Sequence, residues 1–377
     1  MRIKIAAISS ILFQGTSIIL FQGTTLSYAF SVSPTMETTY PRPLHPGGFS
    51  LPPMVEDLLP IATTAGGDSN DSSQSEQVLQ KNLLIVRPPD MESLWEWYAF
   101  SKRQTNSDPS WGRVWPTAIT LARFILQSLN CNSNENQIVM DGLEEQEQVL
   151  VKEAIKSLQT SSHCVELGCG LGVAGLAFAA AAAETSNNNI KRTVTFLDRE
   201  PYALHCVMAS AAINNLATGP ISEEEGSGIA ERTITARSSI DDWTSSDKNI
   251  NYDGLKLDSL DYDNKQTLIL GSDILYEPSS MDTLSVKLRS LLHPKDGGYV
   301  FITDPERERT AGCRSAFQKS VEELGGNVVI LPLPQPESNG MKKSILVESD
   351  IDIDGTLAKT VLIVVHFDGD NIDSKDK

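Results

Sequence analysis

The stretch His163-Cys164-Val165-Glu166-Leu167-Gly168-Cys169-Gly170-Leu171-Gly172-Val173-Ala174-Gly175 constrains this chain more than any other. A short apolar run ends beside an acid, passes through glycines and enters an alanine-rich segment over residues 176–183. Glycine lets the backbone turn tightly and approach a ligand where a Cβ would collide. A helix starting there aims its first amides at whatever occupies the turn. Strand, glycine turn and helix form the first half-unit of a nucleotide-binding α/β fold. Gly170-Leu171-Gly172-Val173-Ala174-Gly175 also satisfies G-x-G-x-x-G, so this stretch alone leaves the ligand open.

The residues downstream continue the alternation. Apolar β-rich runs predict strands over 193–197, 233–237, 267–271 and 299–303. Helical spacing predicts helices over 202–213, after Pro201, over 281–292, halted by Pro294, and over 310–324, stopped by Gly325-Gly326. Upstream, a strand is expected over 78–86, a short helix over 91–100, a helix over 117–129 behind Pro116, and another over 149–158. Beyond residue 326 the segments 328–331, 344–348 and 360–367 are β-rich and separated by loops. Alternating βα units imply a parallel sheet with helices on both faces, and the terminal strands imply an antiparallel hairpin at one edge.

Five motifs occur in order: Trp111-Gly112-Arg113-Val114-Trp115-Pro116-Thr117-Ala118, Val165-Glu166-Leu167-Gly168-Cys169-Gly170, Leu197-Asp198, Asp242-Trp243, and Gly271-Ser272-Asp273-Ile274-Leu275-Tyr276-Glu277. Over residues 81–335 this series resembles the family 16 methyltransferases, the seven-β-strand group rich in protein-lysine methyltransferases. Thr303-Asp304-Pro305-Glu306-Arg307 is similar to the electron-transfer-flavoprotein lysine methyltransferase and its bacterial relatives. The resemblance implies an α/β fold of class I methyltransferase (Rossmann-like) type, a mostly parallel seven-stranded sheet ending in the antiparallel hairpin. It implies S-adenosyl-L-methionine as cofactor and a protein lysine as acceptor, with a small-molecule amine as the alternative. Gly168 and Gly170 would pass beside the methionine moiety, and Glu166 would orient the loop or the cofactor's ammonium. Asp198 would accept the ribose hydroxyls, Trp243 would lie along the adenine, Trp115 would line the pocket, and the Ser272 backbone would face the cofactor. Asp273 and Tyr276 are the catalytic candidates, Asp273 holding the acceptor's ammonium and Tyr276 hydrogen-bonding beside it.

An NAD(P)-dependent oxidoreductase is permitted by the glycines and Asp198, but no Tyr-x-x-x-Lys or His/Asp pair stands at an interpretable place. A non-catalytic module is disfavoured by the intact motifs. Methyltransferases of nucleic-acid amino groups carry an Asn/Asp-Pro-Pro-aromatic tetrad, whereas Ser272-Asp273-Ile274-Leu275-Tyr276 lacks the prolines. A net charge of −18 also repels phosphates, so nucleic acid is not an expected partner. The five cysteines are odd in number and lack C-x-x-C spacing, which suggests neither a disulfide framework nor a metal site.

The N-terminus reads as an address. Residues 1–29 carry Arg2 and Lys4, an apolar run and Ser27-Tyr28-Ala29, the pattern of a cleavable signal peptide. Residues 30–76 are rich in Ser, Thr and Pro with few acids until a polar linker over 68–76. Together they resemble a bipartite plastid presequence, with simple secretion as the alternative and no stable membrane span after processing. The expected organisation is therefore a leader over 1–29, a transit-like linker over 30–76, an N-terminal extension over 77–110 packing on the catalytic domain, a methyltransferase domain over 111–370, and a tail over 371–377.

Overall fold

The computed structural model describes residues 3–5, 54–62, 80–102, 109–130, 142–181, 192–216, 236–240, 267–307, 310, 312–333 and 359–369. The N-terminal elements are strands β1 (Ile3–Ile5), β2 (Met54–Ala62) and β3 (Gln80–Arg87), then helix α1 (Met91–Glu96), which runs on as a π-helical turn over Trp97–Lys102. A 3-10 turn at Pro109–Gly112 leads into α2 (Pro116–Asn130) and α3 (Glu145–Thr160). The alternation follows as β4 (His163–Leu167), α4 (Val173–Ala181), β5 (Thr193–Asp198), α5 (Pro201–Ile213), β6 (Ala236–Ile240), β7 (Thr267–Ser272), α6 (Met281–Leu291), β8 (Gly298–Pro305), α7 (Cys313–Glu323), β9 (Asn327–Pro332) and β10 (Thr360–Phe367).

Seven strands form one sheet in the order β6-β5-β4-β7-β8-β10-β9. The β6–β5, β5–β4, β4–β7 and β7–β8 pairs are parallel, and β10 runs antiparallel between β8 and β9. This is the mostly parallel seven-stranded sheet that the sequence implies, with the predicted hairpin at the edge and its second strand inserted one place inward. Strand order reverses between β4 and β7, and α/β sheets bind ligands outside the strand ends at such a switch point.

Strand periodicity explains the two cores. Leu268, Leu270, Leu362 and Val364 point to the face covered by α2, α3, α4 and α5. Their neighbours Ile269, Val361, Ile363 and Val365 point to the face covered by α6 and α7. Strands buried on both faces read as continuous apolar runs, which is why Thr267–Ser272 and Thr360–Phe367 show little alternation. Every residue of α4 is buried. An apolar surface all round suits a helix enclosed on every side.

The structure differs from the sequence expectation at several places. Residues 30–76 were expected to lie outside the fold, yet Met54–Ala62 pairs antiparallel along all of β3. The cause is local: Leu59 and Ile61, two apart on one strand face, are buried in the larger core. Each such burial is worth about 1.5–3 kcal/mol, enough to hold a strand rather than a linker. Ile3–Ile5, within the stretch read as a leader, pairs with Met54–Glu56. Helix α3 begins four residues before its predicted start, because the Glu147 carboxylate reaches back to the Glu144 amide at 2.9 Å. Helix α7 begins three residues late, after Gly312 at φ +91°. The β-rich segment 344–348 and the tail 371–377 lie outside the described residues, as does most of 1–29.

The N-terminal hairpin is attached by side chains. Ser210 Oγ on α5 accepts from the Val86 amide at 2.8 Å. Asn214 accepts from the Leu84 amide and donates to the Leu84 carbonyl, at 3.0 and 2.7 Å. Ser210 and the residue capping α5, Asn214, thereby satisfy backbone of β3 on the edge where no strand among the described residues pairs with it. No helix among the described residues is long and apolar enough to cross a membrane. No group of three or more His, Cys, Asp or Glu among them is placed to hold a metal ion.

Candidate functional site

The glycine turn leaves β4 over a buried carboxyl. Glu166 is fully buried, and its Oε2 accepts from the Gly175 amide at 2.8 Å, while Oε1 has no hydrogen-bond partner. Burial, opposed only by the amides of Gly175 and Ala174, pushes Glu166 up to about 8. The sequence left Glu166 a choice between the loop and the ligand. Its side chain sits under α4 and does not line the cavity described below, so it acts on the loop. A Cβ on Gly175 would stand 2.6 Å from Glu166 Oε2, so the helix can close onto this carboxyl only with glycine there.

Because the folded form of Glu166 retains a proton that the unfolded chain has already released, its contribution to stability is full below about pH 4.5. It is lost as pH rises towards 8. Glu166→Gln, neutral at every pH, should therefore gain on the native protein between pH 5 and 8, by up to about 1.4 kcal/mol per unit. Urea denaturation at both pH values measures this; an unchanged difference would contradict a neutral Glu166 in the fold.

Above the turn, Gly168, Gly170 and Gly172 all have left-handed φ, at +61°, +49° and +69°. The loop is fastened to β5: the Cys169 amide donates to the Leu197 carbonyl at 3.1 Å, and the Gly170 amide to Asp198 Oδ2 at 2.8 Å. Asp198 Oδ1 accepts from the Glu200 amide at 2.9 Å. Each carboxylate oxygen has a second lone pair, so Asp198 can hold the turn and still accept two hydroxyls. Burial raises its pKa, against the pull of the Glu200 and Gly170 amides.

Glu200, which the sequence did not single out, caps α5 through Oε1 to the Tyr202 amide at 3.1 Å. Its Oε2 accepts from Tyr98 Oη at 2.6 Å, and Tyr98 Oη accepts from Trp111 Nε1 at 3.0 Å. Burial pushes Glu200 up to about 7 and holds the Tyr98 hydroxyl firmly protonated. This relay ties the Trp111 loop, through the N-terminal extension, to the end of β5. Tyr98→Phe leaves Trp111 Nε1 and Glu200 without that partner, an expected loss of about 1–3 kcal/mol in a thermal melt.

The third strand end is that of β7. Ser272 and Asp273 follow Gly271, and Asp273 takes φ +55°, rare for a non-glycine residue. Its amide donates to the Thr303 carbonyl of β8 at 2.9 Å. Its carboxylate is held by Arg307 in two parallel bonds of 2.6 Å each, with both side chains buried. The guanidinium lies 5.0 Å from the Trp115 ring centre. The sequence has Asp273 hold the acceptor's ammonium; in the structure its carboxylate is already half of an ion pair with Arg307. Behind it Asp304 is paired with Arg314 at 2.6 Å, and burial pushes Asp304 up to about 6.

These three strand ends share one cavity of about 360 Å³. Gly168, Gly170, Asp198, Ser272, Asp273, Tyr276 and Trp115 all line it, so seven of the nine predicted site residues converge. Glu166 lies beneath, and Trp243 is outside the described residues. Trp111, Arg113, Glu200 and Arg307 also line it. Trp111, Arg113 and Arg307 stood inside quoted motifs, and that position was the only signal for them. Cys164, Cys169, Cys206 and Cys313 are buried thiols, their pKa values raised by burial. None presents a thiolate to this cavity.

Residues 100–225, about a third of the chain, match the model of family 16 methyltransferases, described as lysine methyltransferase. The match ends before Asp242-Trp243 and the Asp273 motif. No curated protein matches the chain. Among solved structures, the N-methyltransferase NodS from Bradyrhizobium japonicum WM9, in complex with S-adenosyl-L-homocysteine, is similar at 13% identity over 66% of this chain and 98% of that one, with a TM-score of 0.31. The precorrin-6y C5,15-methyltransferase from Geobacter metallireducens GS-15 aligns at 12% identity over 62% of this chain and 92% of that chain, TM-score 0.31. A methyltransferase from Pyrococcus furiosus aligns at 13% over 58% and 83%, TM-score 0.31.

Proposed function

We propose that this protein transfers a methyl group from S-adenosyl-L-methionine to a protein lysine side chain. One observation carries the reading: the glycine turn, Asp198 and the Ser272-Asp273 strand end meet on a single cavity at the sheet's switch point. The residues present fit the cofactor. Gly168 and Gly170, both left-handed, leave bare main chain on the cavity where a chain-like moiety can pass. Asp198 retains lone pairs for a ribose, and a cavity of about 360 Å³ falls within the range of small-molecule sites. The bound sulfonium supplies an electrophilic methyl group.

The chain's own contribution is placement and water exclusion, since displacement at a sulfonium carbon needs little proton chemistry at the transition state. Trp115 and Tyr276 wall the end of the cavity at Asp273, the acceptor end. The family match over residues 100–225 supports lysine as acceptor. Incubation of the protein with isotope-labelled cofactor and organelle extract, followed by mass spectrometry, tests this. A labelled lysine on a discrete protein is expected. Label found only in small molecules would move the acceptor to that class, and no label would remove the reading.

The N-terminal address is proposed to lead to a plastid, with secretion as the alternative outcome. A transit segment that ends before Met54 would keep β2 on β3 and remove the short strand Ile3–Ile5 that pairs with Met54–Glu56. A fluorescent reporter carrying residues 1–53 distinguishes the two routes.

A further inference from the structure

The Asp273–Arg307 pair raises a question that its geometry answers. A lysine amine arrives as an ammonium, with an ordinary pKa of about 10.4, and only its neutral form has the lone pair that attacks. A lone buried carboxylate would stabilise the ammonium and so oppose the reaction. Arg307 removes that effect: both Asp273 oxygens carry its guanidinium, and Trp115 backs the guanidinium's face.

Resting on the proposed acceptor chemistry, we propose that Arg307 is a positioning and specificity residue that makes the acceptor end of the cavity receive a neutral amine. The neutralised pair presents no net countercharge, and the nearby guanidinium disfavours a second cation. One proton therefore passes to solvent on binding. The lone pair it leaves forms the N–C bond as the C–S bond breaks with its electrons onto sulfur.

Among the described residues, the other charged groups that line or back this end are paired or positive, apart from the two acids of the glycine-turn side. Asp304 from β8 is paired with Arg314 from α7. Arg113 from the loop before α2 and Arg199 after β5 add positive charge to the lining. Asp198 and Glu200 line the glycine-turn side with their oxygens on amides and on Tyr98. Tyr276 completes the lining at this end.

The test uses the full chain and a bisubstrate probe: adenosine whose 5′ position bears a carbon centre carrying the cofactor's amino-acid arm and, in place of the methyl group, a four-carbon primary amine. Every slope is read relative to S-adenosylhomocysteine, which shares the α-amino group. Titration calorimetry from pH 7 to 9, in buffers of differing ionisation heat, reads the protons released. The native protein is expected to release close to one proton, its affinity for the probe rising about tenfold per pH unit. Arg307→Gln, shown folded by a cooperative melt and by S-adenosylhomocysteine binding, should lose that slope, and Arg307→Lys should keep it. A native slope near zero overturns the proposal without any variant. An Arg307→Gln slope equal to the native one overturns it as well. Loss of S-adenosylhomocysteine binding by the native protein would instead remove the cofactor reading beneath it.

Discussion

Gly172→Ala is expected to cost about 2–5 kcal/mol of folding stability, the sum of a left-handed backbone penalty and overpacking. The residue sits at φ +69°, and an added Cβ would stand 2.8 Å from Val207 Cγ1 and 2.9 Å from Phe196 Cε1. Neither neighbour can yield easily, since both are core residues of α5 and β5. A domain's whole stability is about 5–15 kcal/mol, so the variant should unfold at a much lower urea midpoint or fail to accumulate. Gly312→Ala is the control. It has φ +91° but nothing within 4 Å of the added Cβ, so it should lose only the backbone part. Equal losses at the two positions would show that packing at the turn matters less than the geometry indicates.

Asp198→Ala should weaken binding of S-adenosylhomocysteine at least 100-fold by calorimetry. Hydrogen bonds to a charged group are worth about 1.5–3 kcal/mol each, and two hydroxyls are at stake. The alanine also releases the Gly170 and Glu200 amides, so the turn loses its fastening to β5. Glu200→Gln separates the two acids. Glu200 is occupied with Tyr98 and Tyr202, so its amide should change affinity far less. An Asp198→Ala protein that binds within fivefold of the native one would reassign Asp198 to a purely structural role.

The sheet was legible because its strands are short apolar runs punctuated by glycine, proline and acids, signals that act locally. So were the residues at the strand ends: a strand that stops at Asp198 or at Ser272-Asp273 places those groups on the sheet's ligand edge whatever the loops do. Three things were not legible. The pairing of Met54–Ala62 with Gln80–Arg87 joins segments across a polar stretch that resembles a linker. The inward place of β10 depends on pairing between β8 and β9, a non-local choice that periodicity does not encode.

The partner of Asp273 was the third. Arg307 is 34 residues away, at the end of the neighbouring strand, and only the parallel register of β7 with β8 brings the two together. The same holds for the Tyr98–Glu200 contact, which spans 102 residues. Sequence pattern located the groups that carry chemistry; tertiary pairing determined which of them act alone.

Calorimetric titration of the full chain with S-adenosylhomocysteine is the most direct measurement of the central claim. The account predicts a saturable, one-to-one heat that Asp198→Ala abolishes. A flat titration on protein that melts cooperatively would contradict it.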